Sequence, residues 1–212
     1  MKHYPPLLMI HIITILILFI PRELTAQVAL PTFQGAQIQH CDNTSTVSAS
    51  DKGWYDSNGS HSASNENTYT HKTSGYRSWF TFDLSGFSGG ACTVTLRLEL
   101  ENYSTNASTA TSTIYDVSTS HDDLVATSSG SSGQTIYADL GAGSSYGSAT
   151  VSNGDEGDII EYELSSQAIS DVNSAAGGWF SVGTTMDDGS SNGWIRFSSS
   201  NESRTHQLVI KY

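Results

Sequence analysis

TVTLRLEL, residues 93–100, decides the fold. Val94, Leu96, Leu98 and Leu100 alternate strictly with Thr93, Thr95, Arg97 and Glu99. Successive side chains of a strand point to opposite faces, so this stretch is apolar on one side and polar on the other. Such a strand belongs in an antiparallel sheet with one face on a core and one in water. The same alternation recurs on both sides of it in the chain. SWFTFDL (78–84) places Phe80, Phe82 and Leu84 inward and Trp79, Thr81 and Asp83 outward; IIEYEL (159–164) buries Ile160, Tyr162 and Leu164; QLVIKY (207–212) buries Leu208, Ile210 and Tyr212. STIYDV (112–117), TIYADL (135–140), WFSVG (179–183), GWIRFS (193–198) and a segment around Gln37 to Asp42 read as further short strands.

Nine or so strands separated by Gly, Ser, Asn and Asp turns predict an all-β protein, an antiparallel β-sandwich or jelly roll. One short helix is expected near residues 166–176, in SSQAISDVNSAAGG (165–178). Ser165 or Ser166 caps it, Ala168, Ile169 and Val172 form its apolar stripe, and Gly177 ends it. The polar runs at 43–75 and 126–134 exceed hairpin length, and SSGSSG (128–133) reads as flexible filler.

The N-terminus reads as a targeting segment. Lys2 and His3 precede the apolar run LLMIHIITILILFI (7–20), which is short for a bilayer span, and PRELTA leads to a small residue, so cleavage after Ala26 is expected. An uncleaved membrane anchor is the other reading. The organisation expected is therefore a signal peptide at 1–26, a linker at 27–36 and one β-sandwich domain at 37–212, in a secreted, extracellular or cell-surface protein. Without Lys2, Arg22 and Glu23 the remainder holds 7 basic and 20 acidic residues, a formal charge of −13. That balance argues against nucleic acid and against anionic membrane surfaces as partners. Cys41 and Cys92, an even pair in an exported chain, read most simply as one disulfide.

The order of GWYDSNGSH (53–61), YRSWFTFDLSG (76–86), TVTLRLEL, YADLGAGSSYGS (137–148), the SSQAISDVNSAAGG helix, WFSVG and QLVIKY resembles a family of secreted bacterial β-sandwich proteins. Many members of that family carry a C-terminal sorting segment, and no activity is assigned to it. The FDLSG phrase followed by a leucine-rich strand is also similar to carbohydrate-binding-module jelly rolls. The resemblance spans roughly residues 37–212 and implies a jelly-roll-like sandwich with glycan binding.

The aromatic residues are the first functional candidates. Trp54 and Tyr55 stand in a stretch otherwise polar, while Trp79, Trp179 and Trp194 fall out of phase with the apolar face of their strands. Sugar rings stack their C–H faces on exposed aromatic rings. Tyr76 and Arg77 lie beside Trp79 and extend such a strip. The other reading is that these rings close the ends of the sandwich or pin the long loops to it; Arg77 is equally placed to pair with Asp83. Loop carboxylates are the second set. Asp51, Asp56 and Asn58, and separately Asp155 and Asp158 in NGDEGD (153–158), offer oxygen ligands for a structural calcium ion, although none has EF-hand spacing.

Catalytic constellations are sparse. Glu99 with Glu101 and Glu161 with Glu163 sit two apart on strand faces, a spacing that solvated sheet surfaces also produce. His71, Tyr76 and Arg77 are the residue types a polysaccharide lyase uses. GxSxG, HExxH, P-loop and dinucleotide fingerprints do not occur. The expectation is a non-catalytic, carbohydrate-binding protein with polysaccharide as partner. The competing readings are a structural surface or matrix protein that self-associates and, third, a polysaccharide-active lyase or hydrolase.

Overall fold

The computed structural model describes residues 41–72, 75–189, 193–199 and 203–212. The expected leader, linker and the start of the expected first strand lie outside these residues. Over these residues the protein is an all-β sandwich with three short α-helices. Its strands are β1 (Thr44–Ser48), β2 (Asp51–Asp56), β3 (Thr68–His71), β4 (Tyr76–Asp83), β5 (Thr93–Glu99), β6 (Asn102–Ser104), β7 (Thr109–Asp116), β8 (Ser145–Ser152), β9 (Ile159–Glu163), β10 (Trp179–Asp187), β11 (Trp194–Ser198) and β12 (His206–Lys211). They form three antiparallel sheets, ordered β1-β12-β5-β9, β2-β4-β10-β7-β8 and β3-β11-β6.

TVTLRLEL behaves as its alternation demands. In β5, Val94, Leu96 and Leu98 are buried and pair with Ile210, Leu208 and His206 of β12. Leu96 and Leu98 face Tyr162 and Ile160 of β9 on the other side. These side chains enter one core with Phe80, Phe82, Ile114, Val182 and Met186 of the five-stranded sheet, and with Ile195 and Phe197 of β11. Cys41 and Cys92 form the disulfide, tying the segment before β1 to the start of β5.

The five-stranded sheet is covered on both faces, and here the structure departs from the sequence reading. Phe80 and Phe82 do point into the main core, but Trp79 and Thr81, expected outside, are also fully buried. Trp79 belongs to a second, smaller core with Tyr55, Leu124, Ile136 and Leu140. The lid over it is the connection between the paired strands β7 and β8, which folds into α1 (His121–Val125) and α2 (Gly130–Asp139). TIYADL is therefore helix, not strand. Gly133, Ile136 and Leu140 repeat at i, i+3 and i+7 and all turn inward, a helical pattern that a six-residue window cannot distinguish from alternation. SSGSSG likewise supplies the helix start instead of a flexible spacer.

The expected helix forms as α3 (Ser166–Ser174), with the Ser165 hydroxyl capping Ala168 and Ala168 and Val172 buried. The polar run at 43–75 is not one loop, because β1, β2 and β3 all lie within it. The first strand among the described residues is Thr44–Ser48, and most of the Gln37–Asp42 segment where one was expected lies outside those residues. Among the described residues no helix is long and apolar enough to cross a membrane.

Candidate functional site

GWYDSNGSH is a strand followed by a turn, and its two rings take opposite sides. Tyr55 points to the helical layer, fully buried, with its hydroxyl 3.1 Å from the Asp123 carbonyl and 3.2 Å from that of Leu124. Burial and the Asp123 carboxylate push its pKa up to about 12, so it stays a donor. Trp54 points the other way and is half-buried. His61, buried at the end of the turn, donates Nδ1–H to the Trp54 carbonyl at 2.9 Å and stacks on Tyr55. Burial holds His61 below its usual pKa, which keeps the ring neutral near pH 7. Gly53 is required in front of Trp54, because a Cβ there would stand 2.9 Å from the Trp79 indole.

Trp54 forms one wall of a cleft of about 270 Å³, completed by Asn65, Asn67, Tyr69 and Tyr76. The Trp54 and Tyr76 rings meet edge to face at 5.0 Å. Tyr76 lies 6.2 Å from Tyr69, and Tyr69 lies 5.5 Å from Trp194, so four rings run continuously from β2 to β11. Arg196 fixes the far end. Its guanidinium sits 5.4 Å from the Tyr69 ring and 5.6 Å from the Trp194 ring and donates to the Tyr69 hydroxyl at 2.9 Å. Two further bonds, 2.9 and 2.6 Å, join it to Glu101, whose side chain is nearly fully buried. The Asn65 carboxamide accepts the Asn67 N–H at 3.1 Å and shapes the turn before β3. Trp54 Nε1 and Asn67 Oδ1 have no hydrogen-bond partner among the described residues, leaving one donor and one acceptor unused on the cleft residues. Such a site has apolar ring faces for contact and amides for orientation, the usual make-up of a small-molecule or sugar-unit pocket.

The remaining sequence candidates scatter. Trp79 and Tyr55 are buried under the helical layer and present no ring to a ligand. Arg77, one residue from Tyr76, points to the opposite face. It stacks on Tyr137 and donates to the Tyr137 and Ala138 carbonyls at 2.8 and 3.0 Å, holding the end of α2 instead of pairing with Asp83. The set His71, Tyr76 and Arg77 is thus split by the strand. Trp179 is 42% exposed and lies on the helical face, because it pairs with Asp83 of β4. The His121 imidazole stacks flat against it, 3.7 Å between centroids and 8° between planes.

The carboxylates proposed for calcium do not converge. Asp51 and Asp56 stand at opposite ends of β2 with opposite side-chain direction. Asp51 pairs with His121 at 3.0 Å, and Asp56 accepts the N–H groups of Asn58 and Ser60, which leaves the Asn58 side chain exposed. Asp155 accepts from the Ser152 N–H and hydroxyl, and Asp158 lies exposed in the turn that follows. Among the described residues, no three His, Cys, Asp or Glu side chains are placed to hold a metal ion. Glu99, Glu101 and Glu161 each pair with a different arginine: Arg204, Arg196 and Arg97.

Tyr69, Asn65 and Asn67 are the cleft residues that the sequence does not single out. The alternation of Thr68 and Thr70, both buried, against Tyr69 is the signal that a strand with one outward ring lies there. No protein-family model matches the chain, and no curated protein matches it.

Proposed function

We propose that this is an exported, non-catalytic protein of the extracellular space or cell surface that binds polysaccharide through the Trp54–Tyr76–Tyr69 cleft. The observation that carries the reading is the continuous row of four partly exposed rings, Trp54, Tyr76, Tyr69 and Trp194, bordered by two asparagines. Flat rings offer stacking area to the C–H face of a sugar, and carboxamides both donate to and accept from its hydroxyls. The strongly acidic surface disfavours polyanionic glycans and points to neutral ones.

The test is retention on immobilised neutral polysaccharides (cellulose, chitin, starch, xylan and mannan), followed by affinity measurements on any that bind. Trp54→Ala and Tyr76→Ala each weaken binding by about tenfold or more, a loss of about 1.4 kcal/mol. Absence of retention on every polysaccharide overturns the proposal, as does binding that both substitutions leave unchanged. Concentration-dependent filaments in the same preparations would direct attention to the self-assembling reading. Release of unsaturated or reducing sugar ends would make the protein an enzyme.

A further inference from the structure

We infer that β1 is a docking edge for a second copy of this chain, whose own β1 adds antiparallel so that the two four-stranded sheets run on as one. The inference is independent of the sugar-binding reading. The observation behind it is a row of backbone groups turned away from the sheet. Asn43 and Tyr212 exchange both of their N–H···O bonds at 3.0 Å, and the Ala49 N–H donates to the His206 carbonyl at 2.8 Å. Antiparallel strands alternate bonded and non-bonded pairs, so residues 43, 45, 47 and 49 turn their peptide groups toward β12. Thr44, Thr46 and Ser48 turn theirs outward, and all three residues are exposed. The open stretch ends before Ser50, whose N–H is taken by the Thr81 carbonyl at 2.9 Å where the chain crosses to the five-stranded sheet.

A sheet edge is a template for a further strand, and folded proteins blunt their edges with charge, cover or side-chain caps. Among the described residues the other edges are blunted. β9 carries Glu161 and Glu163, and β2 carries Asp51, Lys52 and Asp56. On β8 the Tyr146 carbonyl accepts the Ser165 N–H at 2.7 Å, and the Ser152 N–H donates to the Asp155 carboxylate at 2.7 Å. On β6 the Tyr103 N–H donates to Glu156 at 2.6 Å, and β3 is tied to β4 by the Thr70–Ser78 hydrogen bond. β1 has no such device. TSTVS holds no charge and no proline, and its register with β12 runs unbroken from Thr44 to Ser48.

The strand that fits this edge best is β1 itself. With a two-fold axis at Thr46, Thr46 meets the second copy's Thr46, and Thr44 meets the second copy's Ser48. Each is a hydrogen-bonded pair, so every outward N–H finds an outward carbonyl. The side chains set opposite each other are Thr with Thr and Thr with Ser, pairs that stabilise antiparallel sheets. Val47, half-buried against the main core, gains cover from the second copy's Ser45. The chain is strongly acidic, which opposes self-association over most of its surface, but the paired strands bring no like charges together. The pairing uses up the edge of both copies, so it closes at two. The seam is short, which puts the dimer in the weak, transient class.

The experiment is sedimentation velocity of the purified protein from micromolar to millimolar concentration, in wild type, Thr46→Pro and Thr46→Lys. Wild type passes from monomer to dimer over this range. Thr46→Pro removes an N–H that no bond to β12 uses and obstructs the seam, and Thr46→Lys sets two cations opposite each other with the backbone intact. Each raises the dimer Kd by about tenfold or more, and Thr46→Lys keeps the urea-unfolding midpoint of the wild-type monomer. Cysteines read the register. Opposed residues of a hydrogen-bonded pair have Cα atoms about 5.5 Å apart, within disulfide reach, so Thr46→Cys cross-links to its own copy on mild oxidation. Thr44→Cys does not, because the two copies of residue 44 lie about 14 Å apart at about 3.4 Å per residue. A monomer throughout the range overturns the proposal, as does a dimer that neither Thr46→Pro nor Thr46→Lys weakens. Equal cross-linking of Thr44→Cys and Thr46→Cys, or assembly that continues past the dimer, overturns the closed two-fold pairing.

Discussion

Acidification is expected to destabilise this protein through His206, and the effect is large enough to isolate. His206 opens β12 with its ring almost fully buried, 5.1 Å from the Phe80 ring, and Nε2–H donates to the Phe197 carbonyl at 3.0 Å. Burial is the main cause that pushes its pKa down from 6.5 to about 4; Lys52 and Arg204 add to the effect, while the Phe197 hydrogen bond and Glu99 oppose it. The folded ring thus stays neutral while the unfolded chain takes up a proton near pH 6.5. The stability this represents is complete above pH 6.5 and is lost as pH falls from there through about 4. At about 1.4 kcal/mol per pH unit the full loss is about 3 kcal/mol, of which about 2 kcal/mol is gone at pH 5. Urea unfolding followed by tryptophan fluorescence at pH 7, 6, 5 and 4.5 measures it, in wild type and in His206→Gln, whose amide keeps a donor for Phe197. His61 and His71 are also lowered and titrate in the same direction, whereas His121 is raised and loses its contribution as pH rises. All three are common to both proteins, so the difference between wild type and variant isolates His206. That difference should shrink by about 2 kcal/mol between pH 7 and pH 5; a difference constant to within about 0.5 kcal/mol refutes the reasoning.

Two further substitutions probe how the layers are held. Gly133→Ala would place a Cβ 1.8 Å from the Gly59 carbonyl oxygen, so α2 must lift off the β2 turn. A loss of about 1–3 kcal/mol in urea unfolding is expected, together with faster amide exchange confined to residues 130–139. Arg196→Met leaves the buried Glu101 carboxylate without its partner and costs about 3–5 kcal/mol. Adding Glu101→Gln to that variant should recover a substantial part of the loss, which a double-mutant cycle in urea checks.

The strands with one wet face were legible because alternation reports burial on one side only. TVTLRLEL, IIEYEL and QLVIKY are placed by their own residues. SWFTFDL was half legible. Its even positions face the main core as their chemistry requires, but the burial of Trp79 depends on helices about 40 to 60 residues further on. TIYADL was misread for a local reason, since Ile136 and Leu140, four apart, fit both periods and the exposed Ala138 between them completes an alternation. The cleft was partly legible: Trp54, Tyr76 and Trp194 stand out as rings in polar surroundings. Tyr69, Asn65 and Asn67 did not, because their segment looks like loop until β3 is seen to pair with β11 and pack on β4. Arg77 shows the opposite error. Proximity in sequence to Tyr76 and Trp79 suggested a shared strip, and the parity of the strand puts it on the other face.

The path of the chain between β7 and β8 bears on how this architecture can vary. These strands are hydrogen-bonded neighbours that a tight turn would suffice to join, yet residues 117–144 leave the sheet, fold into two helices and return. Topologically the excursion is a graft, and the order of the strands does not depend on it. Chemically it is no longer optional, because Tyr55 and Trp79 have become apolar where a bare sheet would face water. A lineage that trims this insertion must repaint the face beneath it in the same evolutionary step. One that keeps it holds a helical cap whose outer surface is free to diversify while the sandwich underneath stays unchanged.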